Sequence, residues 1–189
     1  TSTAGTNSNN KIYKNTISNV QFGIYFICPP VTSTIFETGN DIGGSVASNG
    51  NNITFGLANS NTTSGPWNRS VSAGKSGIIM RNRVGNSIRF NTINSRTDLA
   101  ESVSSNGVVG INISNGSAPT GVTYTSTISD NTMTVYQTGI NNFYGIDFGY
   151  GISTGTILCS NNNITLNQTL TALAAPNVIG IKASYTSAA

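Results

Sequence analysis

The 189-residue sequence predicts an all-β fold, a β-solenoid of about five coils with loop insertions between its strands. Three observations predict it. One is a phrase of Asn, then Thr or Asn, then a large aliphatic residue. It recurs as Asn15-Thr16-Ile17, Asn51-Asn52-Ile53, Asn91-Thr92-Ile93, Asn131-Thr132-Met133 and Asn162-Asn163-Ile164. The second is a Gly-Ile phrase that follows each of these, at 22-FGIYF-26, 76-SGIIM-80, 109-VGINI-113, 144-YGIDF-148 and 179-IGIKA-183. The third is composition: 37% hydrophobic residues, many of them Ile and Val, beside only 8% charged ones. Disorder goes with low hydrophobicity and high net charge, so this balance argues for a folded β protein.

The spacing assigns each element. Ile17, Ile53, Ile93, Met133 and Ile164 follow one another at 36, 40, 40 and 31 residues. Within a unit the gap between phrases runs from six residues (Ile17 to Gly23) to twenty-four (Ile53 to Gly77), as for fixed strands joined by loops of free length. Each phrase alternates with period two, the mark of a strand. Ile24, Ile78, Ile111, Ile146 and Ile181 face one way, and so do Phe26, Met80, Ile113, Phe148 and Ala183 two places on. Tyr25, Ile79, Asn112, Asp147 and Lys182, between them, are expected to point out. No window has capped 3.6-residue periodicity, 168-QTLTALAA-175 being the nearest to a helix. Strands that recur in one order and direction without helices stack coil on coil as parallel ladders. Coil two is the least regular, since Val46 and Ser48 compete for the strand position before Asn51.

Stacking explains the recurrent asparagine. Equivalent residues of successive coils lie ~4.8 Å apart, so Asn15, Asn51, Asn91, Asn131 and Asn162 form a column at a corner. Asn amides ladder well and tolerate the turn backbone, including φ > 0. This is a structural role.

The chain holds 27 Asn, 24 Ser and 25 Thr. In that setting the paired phrases Asn-x-Ile and Gly-Ile-x-apolar resemble the right-handed parallel β-helix repeats of secreted bacterial surface proteins, those of Bacteroidetes above all. The resemblance covers residues 10–185 and implies right-handed coiling and export. It implies no single activity, because such proteins include lyases, hydrolases, epimerases, tailspikes and adhesins.

Chemistry is sparse. The acids are Glu37, Asp41, Asp98, Glu101, Asp130 and Asp147, and there is no His. Asp98 with Glu101, and Glu37 with Asp41 across the turn 38-TGN-40, read as solvated loops. Asp130 supports the turn before Asn131, and Asp147 lies one coil from Lys182 at ion-pair spacing. Neither a carboxylate cluster for acid–base work nor a metal-ligand spacing is present, so no enzyme, cofactor or metal is expected. A net charge of +3 does not call for nucleic acid. No apolar run reaches the ~20 residues of a membrane helix.

Trp67, Arg69, Lys75, Arg81, Arg83, Arg89 and Arg96 fall in one stretch without an acid. They are either solvated loops or a contact face for an acidic polysaccharide or a neighbouring subunit. Seven Asn-x-Ser/Thr sequons are what this composition gives by chance. Outward Thr and Asn beside the first phrase resemble ice-binding arrays, but any exposed parallel strand favours Thr. Cys28 and Cys159 are four coil steps apart, ~19 Å, against a disulfide limit of ~7 Å. Two buried free thiols are expected.

The ends decide the functional expectation. A solenoid has two open ends that template further pairing, and monomeric ones are capped by a helix or a polar repeat. Here residues 1–9 and 186–189 carry no amphipathic helix. The chain starts without Met, which suggests numbering after processing. The expectation is one domain over 1–189, secreted or at the cell surface. It would self-associate head-to-tail into a fibre or appendage, with a carbohydrate-binding adhesin as the alternative.

Overall fold

Runs of Ile, Val and Thr favour extended backbone, and Asn- and Gly-containing corners set where each run stops. The computed structural model describes residues 8–27, 37–56, 75–81, 83–96, 107–114, 124–137, 142–149, 156–168 and 177–183. These form three five-stranded sheets and a two-stranded one. The first sheet contains β1 (Lys11–Ile12), β5 (Asp41–Ile42), β9 (Ser87–Arg89), β12 (Thr125–Ser129) and β15 (Thr156–Ser160). The second contains β2 (Thr16–Val20), β6 (Asn52–Phe55), β10 (Thr92–Ser95), β13 (Thr132–Gln137) and β16 (Asn163–Gln168). The third contains β3 (Phe22–Ile27), β7 (Lys75–Arg81), β11 (Val108–Ser114), β14 (Phe143–Gly149) and β17 (Val178–Ala183). The short pair is β4 (Glu37–Thr38) with β8 (Arg83–Val84).

Every pairing is parallel and joins successive units, each unit giving one strand to each five-stranded sheet in turn. The Asn-x-Ile phrases make the second sheet and the Gly-Ile phrases the third. Register is in phase: Ile53, Ile93, Met133 and Ile164 pair in line, as do Ile24, Ile78, Ile111, Ile146 and Ile181. One bulge, at Asn19 (φ 57°), shifts β2 against β6 between Ile17 and Val20.

The first sheet is an addition to what the sequence predicts. Its inward column is Ile12, Ile42, Ile88, Ile128 and Cys159. In unit two the strand before Asn51 is Asp41–Ile42, so neither Val46 nor Ser48 holds that position. Residues 43–50 form an excursion with one 3-10 turn (Ala47–Asn49), and Val46 is exposed. That turn is the only helical segment among the described residues; most of 168-QTLTALAA-175 lies outside them.

The core lies where the three sheets meet. Ile42, Ile53, Ile78, Ile88, Ile93, Ile111, Ile128, Met133 and Ile146 are fully buried. Packing also explains the glycine before each third-sheet Ile. A Cβ at Gly23 would sit 2.3 Å from Ile53 Cγ2, at Gly77 2.3 Å from Ile93 Cγ2, and at Gly145 2.5 Å from Ile164 Cγ2. At Gly110 it would meet Gly145 O at 2.7 Å and Met133 Sδ at 3.0 Å. The aliphatic residue of one phrase thus presses on the glycine of the previous unit's other phrase. The glycine also breaks the alternation, since Val108 and Ile111, three apart, are both in the core, as are Phe143 and Ile146. Ile79, expected to point into solvent, is 4% exposed. The four other units have Tyr, Asn, Asp or Lys at this position.

Candidate functional site

The asparagine column is a continuous hydrogen-bonded ladder. Asn15 Nδ2 donates to Asn51 Oδ1 (2.9 Å), Asn51 Nδ2 to Asn91 Oδ1 (2.8 Å), Asn91 Nδ2 to Asn131 Oδ1 (3.0 Å) and Asn131 Nδ2 to Asn162 Oδ1 (2.9 Å). Each acceptor oxygen also takes the backbone N–H of the preceding rung, at 3.0 to 3.2 Å. An N–H needs an oxygen opposite it, so the amide orientation is fixed and the ladder has one direction. The second Nδ2 hydrogen returns to the first sheet: Asn51 to Ile12 O, Asn91 to Ile42 O, Asn131 to Ile88 O and Asn162 to Ile128 O.

The left-handed backbone, expected at the ladder residues, lies instead one place before four of the five; Gly50, before Asn51, has φ −58°. Lys14 (φ 57°), Phe90 (φ 58°), Asp130 (φ 57°) and Asn161 (φ 52°) occupy it. Once the turn residue takes the positive φ, the rung keeps ordinary backbone and its amide lies along the stack. Asp130 accepts from Asn161 Nδ2 at 3.2 Å, so its side chain joins a second link at this corner. A companion column precedes the first sheet. Asn10 Nδ2 donates to Asn40 Oδ1 (2.7 Å), Asn40 Nδ2 to Asn86 Oδ1 (3.3 Å), and Asn86 N to Ser126 Oγ (3.3 Å). Sequence reasoning missed it, although Asn10-Lys11-Ile12, Asn40-Asp41-Ile42 and Asn86-Ser87-Ile88 repeat the Asn-x-Ile phrase.

The basic residues do not share one face. Lys75 and Arg81 stand at opposite ends of β7, Arg83 on β8, Arg89 on β9 and Arg96 just after β10. One unit gives a strand to each of the three sheets, so a basic run in sequence is spread over all of them. Lys75 is buried. Arg89 Nη2 lies 3.8 Å from Asp41 Oδ2, which also accepts the Tyr13 hydroxyl at 2.6 Å. Arg96 Nη1 donates to Asn19 Oδ1 at 3.4 Å. Trp67 and Arg69 lie outside the described residues.

The acids are equally dispersed. Glu37 is buried on β4 and Asp41 lies on β5 in that hydrogen-bonded cluster, so this pair is not a solvated loop. Strand pairing at β4–β8 holds Glu37 in place, opposite Arg83 in register. Asp98 and Glu101 are outside the described residues. Asp147 Oδ1 meets Lys182 Nζ at 3.7 Å, and that ammonium also lies 4.7 Å from the Tyr144 ring centre. Burial raises the Asp147 carboxyl above its ordinary range, and Lys182 opposes the rise. Among the described residues no three His, Cys, Asp or Glu side chains group as metal ligands, and no helix is long and apolar enough to cross a membrane.

The feature that stands out is the end formed by unit five. Inward columns that are sealed in units two to four end bare there: Ile181 is 50% exposed and Val178 46%, while their partners Ile146 and Phe143 are 0%. Cys159 ends the Ile12–Ile128 column and is exposed, where burial was expected, because among the described residues no strand lies beyond β15 in the first sheet. Cys28 lies outside the described residues. Among the described residues a Cβ at Gly180 would meet nothing within 4 Å, in contrast to Gly23, Gly77, Gly110 and Gly145. The opposite end is better covered: Ile24 is 6% exposed and Ile12 and Ile17 are half-buried. The chain matches no family model, no curated protein and no solved structure.

Proposed function

We propose that the three sheets close as a right-handed parallel β-helix, and that the end formed by unit five receives the first unit of a second copy. The chain is then the subunit of an extracellular fibre or surface appendage that grows head-to-tail. The observation carrying this reading is the exposure of Ile181, Val178 and Cys159 at the ends of columns sealed elsewhere. Low charge and abundant Ser, Thr and Asn suit an exported structural protein. The contact joins two different surfaces of one molecule, so it does not close on itself and gives a filament.

Magnitudes show what the joint needs. Covering the exposed half of an aliphatic side chain contributes roughly 1 kcal/mol. Three such residues supply about 3 kcal/mol, against an association cost of ~4–15 kcal/mol. Apolar contact alone is too weak, so ladder bonds along three strand edges must supply the rest. Negative-stain microscopy and size-exclusion chromatography over a concentration series test the reading. Filaments, or a mass that rises with concentration, are expected. A sharp monomer at every concentration overturns it.

A further inference from the structure

Resting on that reading, we infer that the joint has a single register: Asn15 of an incoming copy seats on Asn162, Ile17 on Gly180 and Ile12 on Cys159. Three features of the two ends match in this register.

The ladder is directional, so its ends differ. Among the described residues the Asn15 Oδ1 has no donor, whereas every later rung oxygen receives two. At the other end, among the described residues, the Asn162 backbone N–H has no acceptor, and its Nδ2, after serving Ile128 O, reaches only Cys159 Sγ at 3.4 Å. One end therefore offers the acceptor and the other the two donors that meet at each internal step. Asn163 N donates to Asn131 O at 2.8 Å, and Thr16 N would do the same to Asn162 O.

The glycine slots agree. Gly23, Gly77, Gly110 and Gly145 are each filled by the aliphatic residue two places after the next rung: Ile53, Ile93, Met133 and Ile164. Gly180 is the empty slot, and Ile17 is the member of that column that fills none. Finally, Ile12 heads and Cys159 ends one inward column of the first sheet. Docking in register places them as adjacent rungs, ~4.8 Å apart, within the Cα range of a disulfide.

Two variants test the register apart from association itself. In a Cys28→Ser background, Ile12→Cys is expected to form intermolecular disulfides with the native Cys159, giving a dimer-and-higher ladder on non-reducing gels. Lys11→Cys, on the opposite side of the same strand, is expected not to. Gly180→Val, whose Cβ would meet nothing within 4 Å among the described residues, is expected to raise the concentration for half-association about tenfold or more. Association without the Ile12→Cys crosslink, or with an equal one from Lys11→Cys, rejects the register and leaves self-association standing. A Gly180→Val protein that assembles normally rejects it too. Wild-type protein that does not associate removes both readings.

Discussion

Asn91 and Asn131 meet twice, the backbone N–H and the Nδ2 of Asn91 both donating to Asn131 Oδ1 at 3.0 Å. Both residues are buried, so neither donor has water as an alternative. The corner is held by a side chain that acts as a backbone group would, linking three units through one amide. Asn131→Ala removes an acceptor for two donors and its own bonds to Ile88 O and Asn162. A buried donor left without a partner costs ~1–3 kcal/mol, so the expected loss is roughly 2–4 kcal/mol. Asn15→Ala, at an exposed end, is expected to cost under about 1 kcal/mol. Denaturant unfolding of the two variants checks the contrast; equal losses would mean that the ladder is incidental.

The glycines before each third-sheet Ile should divide in the same way. Gly77→Ala forces a methyl to 2.3 Å from Ile93 Cγ2, and overpacking of this kind costs ~1–3 kcal/mol. Gly180→Ala meets nothing within 4 Å and is expected to leave the melting temperature of the dilute protein unchanged. A matching drop in both would show that Gly180 is needed for its backbone and not for an empty slot.

These contrasts also show what the sequence makes legible. The second and third sheets could be read because Asn-x-Ile and Gly-Ile-x-apolar mark them in all five units. The first sheet escaped because β1 and β5 are two residues long and its Asn column gives way to Ser126 and then Ile157. The turn before Asn131 is legible in the sequence, but its positive φ belongs to Asp130 and not to the rung itself. The basic stretch does not translate into one face for a geometric reason. Residues adjacent in sequence pass through three sheets, whereas the in-line residues of the second sheet are 31 to 40 residues apart. The open ends are legible only through the missing cap, because Ile181 itself reads like every other Gly-Ile phrase.

Acid should reveal the Asp147–Lys182 pair. Burial raises the Asp147 carboxyl, with Lys182 opposing. An acid raised on folding contributes stability that is full below its unfolded pKa and lost as pH rises through the folded one. Asp147→Asn is therefore expected to melt at or above the wild-type temperature at pH 7, with the gap closing near pH 3. Lys182→Met removes the opposing charge and should lower stability at pH 7 by ~0.2–1 kcal/mol, with little effect at pH 3. Thermal melts at both pH values decide it. A Lys182→Met loss that is the same at pH 3 would place the interaction in the Tyr144 contact.

Cys159 gives a chemical handle on the open end. Burial raises its thiol above the ordinary value and the Asn162 amide opposes this, so little thiolate is present at neutral pH and maleimide should react slowly. The side chain is nonetheless exposed, and raising the pH towards 9 should speed the reaction by about the rise in thiolate, close to tenfold per unit below the pKa. Adduct formation places a bulky group where the next unit's Ile12 is proposed to lie. Cys28→Ser protein alkylated at Cys159 is therefore expected to stay monomeric at concentrations where the unmodified variant associates. Assembled protein is expected to be protected from the reagent. Mass spectrometry of the adduct beside a size-exclusion profile measures both, and full association of quantitatively alkylated protein would place the contact elsewhere on the molecule.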